Sequence, residues 1–158
     1  MNKNNKENNQ CDGVELTGEN WLYSPIVKDH FFNPRNILKP AEEKDYSFDG
    51  MGYVGSPACG DVMKVWIKVD PKKDVITDCK WQTFGCGSAI ASTSVMSEVV
   101  IGMKLEEAIS LTPQDIVKEL GGLPERKIHC SVLGDKALRQ AINDYFKKSG
   151  QEDRIVKA

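Results

Sequence analysis

The sequence predicts an α+β fold in which helices pack on one face of a three-stranded antiparallel sheet. The first observation is that residues 62–69 and 75–84 alternate apolar and polar side chains, which is typical of half-buried strands. The second is that tight connections join these stretches to each other and to a shorter strand at residues 51–55, as in an antiparallel meander. The third is that helical patterns lie before and after the strands, and such separate runs indicate the α+β class.

The N-terminal part of the chain is predicted to contain a disordered leader and one short helix. Residues 1–20 form the leader, because its first half is rich in Asn and Lys and has almost no apolar side chains. Ser24 and Pro25 then supply an N-cap and a first-turn proline. The helix ends before Pro34, since a residue that precedes proline disfavours the helical conformation.

Each of the two longer strands is predicted to place its apolar side chains on one face. Lys64, Trp66 and Lys68 fall on the other face of the first of them. Cys79 is assigned to the core, where a cysteine behaves as a small hydrophobic residue. The residues predicted to share a face are Met63, Val65, Ile67 and Val69 in the first strand, and Val75, Thr77, Cys79 and Trp81 in the second.

Four helices are predicted after the strands. Ser88 caps the first, which continues to Ile101 and carries one charged residue, so it should be largely buried. A short helix occupies residues 103–110, and Thr112 opens the next with a first-turn proline and an acidic third position. The last helix covers residues 131–148.

The chain length suits a single domain, predicted over residues 21–148, with a frayed tail at 149–158. The net charge of -2 excludes the strongly basic surface on which nucleic-acid binding depends. No apolar run approaches the roughly 20 residues of a membrane span. The sequence thus predicts neither a nucleic-acid partner nor a membrane partner.

Cysteine usage indicates where the protein works. The chain has five cysteines, an odd number, and its N-terminus lacks the apolar segment of an export signal. A chain with several cysteines and no export signal is expected in a reducing compartment, where disulfides are rare. A cytoplasmic location is therefore predicted. Such cysteines are more often metal ligands, reactive thiols or buried residues than disulfide partners. Cys11 lies in the leader and is interpreted as incidental.

Three cysteines lie in unusual loop positions and are predicted to converge on one iron-based site. Cys59 stands between a proline and a glycine, two residues before Asp61. Cys86 has a glycine on each side and precedes a helix, where the helix dipole favours a thiolate. Cys130 follows His129 at the threshold of the last helix. Thiolate, imidazole and carboxylate groups together make a mixed ligand set.

Plainer interpretations of the same residues stay open at this level. Cys59 can be a buried residue beside an Asp that caps a turn, and Cys86 can belong to a tight turn. A single histidine such as His129 is more often a packing or surface residue than a ligand. A zinc ribbon would have short CxxC pairs, which are missing. A mixed set with an oxygen ligand predicts weak retention, which suits a protein that passes its cluster on.

The chain resembles the IscU/NifU family of iron–sulfur cluster assembly scaffolds from about Tyr23 to Lys148. The resemblance implies a SufE/NifU-like α+β domain and a non-enzymatic scaffold that assembles a labile 2Fe–2S cluster and transfers it to apo-proteins. The motifs that carry it are Asn33-Pro34-Arg35-Asn36, Ala58-Cys59-Gly60-Asp61-Val62-Met63-Lys64, Thr83-Phe84-Gly85-Cys86-Gly87-Ser88-Ala89-Ile90-Ala91-Ser92 and Ile128-His129-Cys130-Ser131.

The resemblance also implies roles for individual residues. Cys59, Cys86 and Cys130 would be the cluster thiolates. Asp61 would keep the cluster labile, as a ligand or near neighbour, and His129 would be the alternative fourth ligand. Cys130 would accept persulfide sulfur from a cysteine desulfurase of the IscS/NifS type. Zinc can occupy a site of this kind when iron is absent.

Further partners follow from the same resemblance. They are an electron donor such as a ferredoxin, an iron donor or frataxin-like regulator, and apo iron–sulfur proteins. The family's chaperone-recognition segment reads Leu-Pro-Pro-x-Lys, whereas this chain has Glu125 where the second proline would be. The resemblance therefore does not carry recognition by an Hsp70-type chaperone over to this chain.

Two other functions are possible alternatives to the scaffold. A zinc-dependent sulfur acceptor of the SufU type accepts persulfide sulfur without building a cluster, but such proteins have an insertion before the last cysteine and lack the adjacent histidine. His129 and the short segment before it favour the scaffold. A hydrolytic zinc enzyme would need a general base and a substrate cleft, and the sequence identifies neither.

Overall fold

Three antiparallel strands form one sheet, and the helices before and after it complete the fold. The computed structural model describes residues 23–55, 60–123 and 128–157. Within these ranges no helix has both the length and the apolar character that a membrane crossing needs. The elements are α1 (Pro25–Phe32), β1 (Gly50–Gly55), β2 (Val62–Asp70), β3 (Val75–Phe84), α2 (Gly87–Val100), α3 (Leu105–Ile109), α4 (Pro113–Glu119), α5 (Ile128–Lys148) and a 3-10 helix (Glu152–Arg154).

The strand register fixes which loops are neighbours. The strand order is β1-β2-β3, and both neighbouring pairs are antiparallel. Gly55, the last residue of β1, pairs with Val62, which in turn pairs with Phe84 at the end of β3. The β1–β2 connection and the β3–α2 connection therefore leave the sheet at the same end, which we call the open end.

A bulge in β3 corrects one of the predicted faces. Lys68 pairs with Asp78, but the next residue, Val69, pairs with Ile76, so Thr77 is the extra residue. Beyond the bulge the alternation is inverted, and Ile76 is buried while Thr77 is exposed. The prediction that Val75 and Thr77 share the face of Cys79 was wrong because period-two alternation assumes an unbroken ladder.

The core lies between the apolar face of the sheet and helices α2 and α5. Met63, Val65 and Ile67 of β2 are fully buried there, as predicted. Helix α5 crosses β1 at very short range, because a Cβ atom at Gly50 or Gly52 would overlap the carbonyl oxygen of Ala141 or Ala137, respectively. Glycine at these two positions lets the helix backbone contact the strand directly.

The other face of the sheet is covered by the segment between α1 and β1. The backbone N–H of Leu38 donates to the carbonyl of Trp81 over 3.0 Å along the edge of β3. Over the face, the hydroxyl of Tyr46 donates to the carboxylate of Asp78 over 2.8 Å, and Nζ of Lys68 lies 4.6 Å from the centre of the Tyr46 ring. Trp66, on this face, is consequently only 2% exposed. Helices thus bury one face of the sheet, and the loop covers part of the other, where Lys64 and Lys68 are half-buried.

Local signals for the helix ends were accurate where a side chain makes the cap. The hydroxyl of Ser24 accepts a hydrogen bond from the Val27 N–H over 3.2 Å, and Pro25 is the first helical residue. Thr112 and Asp115 form the predicted capping box of α4. The cap of α2 was predicted incorrectly, because Cys86 occupies the N-cap position and Ser88 lies inside the helix. Helix α5 begins at Ile128, three residues before its predicted start.

The C-terminal residues after α5 contact the body of the protein. The guanidinium group of Arg154 donates to both carboxylate oxygens of Asp74, with the Nη1–Oδ1 distance at 3.0 Å and the Nη2–Oδ2 distance at 2.6 Å. The side chain of Asn143 bonds both backbone polar groups of Val156. These contacts differ from the frayed tail expected from residue 149 onwards, and the turn at residues 70–74 provides one of their anchors.

Candidate metal centre

The carboxylate of Asp61 lies against the backbone of Gly85 at the open end. Asp61 immediately precedes β2 and Gly85 immediately follows β3, so both lie next to the terminal Val62–Phe84 pair. A Cβ atom built on Gly85 would be 3.2 Å from Cγ of Asp61 and 3.3 Å from its Oδ1. Asp61 is 6% exposed, so an acidic side chain is held at the surface of the core rather than projecting into solvent. Strand pairing has therefore brought Asp61 next to the residue that precedes Cys86.

Cys86 lies between the end of β3 and the first residue of α2. Its backbone is extended, with φ -72° and ψ 170°, and its carbonyl oxygen accepts the first helical hydrogen bond, from Ile90 N–H, over 3.1 Å. The side chain is partly buried and packs against the core. The predicted location immediately before a helix is confirmed. The unpaired N–H groups at a helix start favour a negatively charged ligand group there.

Helix α5 carries the third part of the predicted site toward the same end of the sheet. Gly50 contacts the helix at Ala141, and Gly52 contacts it at Ala137, so helix and strand run in opposite directions. Four helical residues rise about 6 Å, and two strand residues advance about 6.7 Å, so the two backbones stay in step. The first turn of α5, which contains His129 and Cys130, is therefore directed toward the Gly55 end of β1.

Two of the five predicted ligands are described with their side chains, and three are not. Cys59 lies outside the described residues, and the side chains of His129 and Cys130 lie outside them as well. Among the side chains that the structure does describe, no three His, Cys, Asp or Glu residues lie close enough to hold one metal ion. The structure thus places Asp61 beside the Cys86 segment, and the complete ligand set stays a prediction.

The comparisons with known proteins identify the family. The model of the NifU-like N-terminal domain matches residues 22–152. The chain belongs to this family. It is 48% identical over 134 residues to "Iron-sulfur cluster assembly scaffold protein IscU 1" of Archaeoglobus fulgidus, covering 85% of this chain and 83% of that protein. It is 50% identical over 127 residues to "Iron sulfur cluster assembly protein 2, mitochondrial" of Saccharomyces cerevisiae, covering 80% of each chain.

Solved structures agree on the fold of this NifU-like domain. A NifU-like N-terminal protein from Brucella abortus superposes with a TM-score of 0.62 at 20% identity, over 79% of this chain and 94% of that one. A structure named as a scaffold for the SUF system, from Fervidobacterium islandicum, gives a TM-score of 0.56 at 21% identity, over 76% and 96% of the two chains. The predicted α+β architecture with a three-stranded antiparallel sheet is confirmed.

Cys79 is part of the core, as the strand alternation predicted. Its exposed fraction is 0%, in the middle of β3. Burial, with a smaller contribution from the neighbouring Asp78 carboxylate, raises the pKa of the Cys79 thiol to about 12. The side chain is therefore a neutral thiol at any physiological pH and a poor nucleophile.

A buried polar network holds α1 against α2, the helix that begins beside Cys86. Nδ1 of His30 lies 2.7 Å from Oγ of Ser94, and the same hydroxyl accepts a hydrogen bond from the Arg35 N–H over 2.9 Å. The side-chain amide of Asn36 donates a hydrogen bond to the hydroxyl of Ser97 over 3.0 Å. Burial lowers the pKa of His30, so the ring is neutral at physiological pH. His30 therefore has a packing role, and the network explains why a buried helix carries several serines.

Sequence reasoning missed an apolar groove beside the candidate site. The groove has a volume of about 280 Å³ and runs along the end of β3. Phe84, two residues before Cys86, forms part of its wall and is 83% exposed. The signal was present in the alternation, which places Phe84 on the opposite face from Cys79 and Trp81. The other apolar wall residues include Phe31, Pro34, Ile37, Pro40 and Ile90.

Proposed function

We propose that this NifU-like domain is a scaffold on which an iron–sulfur cluster is assembled and from which it is transferred to apo-proteins. The observation that carries the proposal is the carboxylate of Asp61 packed against the residue before Cys86. An oxygen donor beside a cysteine is the arrangement that a releasable cluster needs. The relatives at 48% identity that are named cluster assembly scaffolds support the same function.

The proposed ligands are the thiolates of Cys59, Cys86 and Cys130, with Asp61 or His129 as the fourth. The covalent chain keeps Cys59 within two residues of Asp61, and the direction of α5 carries Cys130 toward the open end. Thiolates bind iron strongly, whereas a carboxylate oxygen is a harder and weaker partner for an iron–sulfur cluster. The cluster proposed as cargo is 2Fe–2S, and zinc is proposed to occupy the thiolates when iron is absent.

Sulfur delivery is proposed to pass through Cys130. Its thiolate would attack the outer sulfur of a persulfide on a cysteine desulfurase, and the desulfurase thiolate would leave. The transferred sulfur is still oxidised relative to sulfide, so its release needs two electrons from a donor such as a ferredoxin. Iron would come from an iron donor, with a frataxin-like protein as a proposed regulator, and the product would pass to apo iron–sulfur proteins.

The apolar groove next to Cys86 is proposed as a contact for such protein partners. Exposed aromatic side chains beside a reactive site are typical of surfaces that another protein covers. The cytoplasmic location and the absence of a nucleic-acid partner stay predictions. Recognition by an Hsp70-type chaperone is not part of the proposal.

Anaerobic reconstitution tests the function. The full chain is incubated with ⁵⁷Fe²⁺, cysteine, a desulfurase and a reductant, and absorption and Mössbauer spectra are recorded after gel filtration. We expect a 2Fe–2S spectrum that disappears when an apo-ferredoxin is added, with matching appearance of the holo-ferredoxin. A chain that takes up persulfide sulfur and zinc but never shows a cluster spectrum would instead have the SufU-like function.

A further inference from the structure

Gly85 stands where two parts of the open end meet. It follows the last residue of β3 and precedes the N-cap residue of α2. A Cβ atom built on it would lie 3.0 Å from Cβ of Ala89 and 3.2 Å from Cγ of Asp61. Both distances are shorter than ordinary van der Waals contacts, so the space beside Gly85 is already filled.

The requirement for glycine here concerns space rather than backbone conformation. The φ angle of Gly85 is not positive. Gly60, in the loop between β1 and β2, differs in having a φ of 72°. An alanine at position 85 can therefore adopt the backbone conformation. What it cannot do is keep its neighbours in place.

Of the two neighbours, Asp61 is the one whose side chain can turn away. Ala89 is fully buried, and its Cβ is fixed to the backbone of α2. Asp61 has a side chain that turns about two bonds, and its Cγ and Oδ1 are the atoms in contact. A methyl group at position 85 would therefore displace the carboxylate, while its contact with Ala89 is relieved by a backbone shift of a few tenths of an ångström.

We propose that Gly85 is a positioning residue, whose missing side chain allows the Asp61 carboxylate to lie beside Cys86 as the oxygen donor that makes the cluster releasable. The inference rests on the proposed scaffold function for its effect on a cluster. The underlying contact does not, and it can be tested on the metal-free protein.

Gly87 provides a matched control on the other side of Cys86. A Cβ atom there would also meet a neighbour at 3.2 Å, but that neighbour is the ring of Phe31. Gly85→Ala and Gly87→Ala thus each add one methyl group to a residue next to Cys86. The added group would lie 3.2 Å from Asp61 in the first variant and 3.2 Å from Phe31 in the second. The atoms nearest to the second methyl group all belong to the ring of Phe31.

The first experiment measures thermal unfolding of the metal-free full chain in two crossed pairs. We expect the decrease in melting temperature caused by Gly85→Ala to be smaller in an Asp61→Ala background than in the wild type, and that caused by Gly87→Ala to be smaller in a Phe31→Ala background. The crossed combinations, Asp61→Ala with Gly87→Ala and Phe31→Ala with Gly85→Ala, should show a smaller rescue, because the nearest atoms that each added methyl group meets belong to the matched partner and not to the crossed one. A Gly85→Ala protein that Asp61→Ala fails to rescue would overturn the inference.

The second experiment measures the half-life of the reconstituted cluster in the presence of a chelator. Asp61→Ala and Gly85→Ala should each lengthen it by at least about twofold, the lower end of the range for coupling between residues in contact. The half-life in the double variant should match that in Asp61→Ala alone. Once the carboxylate has been removed, a methyl group at position 85 has nothing left to displace. An unchanged or shortened half-life in Gly85→Ala, or multiplied effects in the double variant, would refute the positioning role while the scaffold function stands.

A third measurement separates failure of the inference from failure of the function. If the wild-type chain builds no cluster, the proposed function is wrong, and Co²⁺ alone then serves as the probe. We expect Gly85→Ala and Asp61→Ala to change the visible ligand-field spectrum of bound Co²⁺ in the same way, whereas Gly87→Ala gives a different change. A Gly85→Ala spectrum that coincides with the wild-type spectrum would overturn the inference.

Discussion

Cys79 and Cys86 are seven residues apart in the chain, yet their surroundings prepare them for opposite roles. Cys79 lies in the middle of β3, fully buried against the apolar core. Cys86 lies beyond the end of the same strand, partly exposed, beside the start of a helix and near a carboxylate. The comparison shows that the end of a strand, where pairing stops, is where a thiol becomes accessible for chemistry.

The largest expected difference between the two cysteines concerns cluster assembly. We expect Cys86→Ser to prevent a stable cluster, because a neutral hydroxyl cannot replace a thiolate ligand to iron. Cys79→Ala should retain the cluster spectrum after anaerobic reconstitution. We use alanine at the buried position because serine would bury an unpaired hydroxyl. Equal loss of the cluster in both variants would contradict the assignment of Cys79 to the core.

Cys59→Ser and Cys130→Ser extend the same experiment to the ligands whose side chains the structure does not describe. Each is expected to behave like Cys86→Ser and not like Cys79→Ala. Circular dichroism of the metal-free variants provides the control, since a folded protein without a cluster identifies a lost ligand. A variant that retains the spectrum and its intensity would be removed from the proposed ligand set.

The second expected difference is in the rate of alkylation by iodoacetamide. Cys79 can react only when the core opens, which for a stability of about 5 kcal/mol happens about 10⁻⁴ of the time. Cys86 needs no such opening, so it should be modified at least about 10³-fold faster in the native, metal-free protein. Peptide mapping by mass spectrometry measures both sites in one sample. Comparable rates under native conditions, but not merely in denaturant, would contradict the described burial of Cys79.

Much of this contrast was visible in the sequence, because it depends on local patterns. Alternation along β3 placed Cys79 inside, and the glycines around Cys86 indicated a turn before a helix. The side-chain caps at Ser24 and Thr112 were likewise local and were predicted correctly. Features that depend on pairing between distant residues were not predictable in the same way.

Three examples show where local reasoning ended. The bulge at Thr77 depends on the β2–β3 register, which no single strand contains. The contact between Asp61 and Gly85 joins residues 24 positions apart and depends on the same register. Helix α5 starts at Ile128 and includes His129 and Cys130, whereas the sequence predicted that the helix starts after them, at residue 131. The convergence of all five predicted ligands is a tertiary property of the same kind, and it stays a prediction.

The third expected difference is a pH effect on stability that only the buried cysteine contributes. In the unfolded chain the Cys79 thiol should have a pKa of about 8.5, whereas burial raises the pKa to about 12 in the folded protein. Between these values the unfolded state has released the proton and the folded state has kept it. The contribution of Cys79 to stability is therefore present below about pH 8.5 and decreases as the pH rises, by up to about 1.4 kcal/mol per pH unit.

Urea unfolding of the metal-free protein at pH 8, 9, 10 and 11 measures this effect, with Cys79→Ala as the comparison because tyrosines and lysines titrate in the same range. We expect the free energy of unfolding of the wild type to decrease more steeply than that of Cys79→Ala. Cys86→Ala should decrease about as steeply as the wild type, because it retains the buried thiol. Parallel curves for wild type and Cys79→Ala would show that the Cys79 proton is not held by the fold.

The smallest expected difference is in stability at neutral pH. Cys79→Ala removes a buried sulfur atom and leaves a small void, which should decrease the free energy of unfolding by about 1–2 kcal/mol. Cys86→Ala removes a partly exposed atom at the edge of the core, and we expect a decrease below about 0.5 kcal/mol in the metal-free protein. Urea unfolding at pH 7 measures both values. A larger loss at Cys86 than at Cys79 would mean that the N-cap cysteine, and not the strand cysteine, holds the structure together, which reverses the division of roles between them.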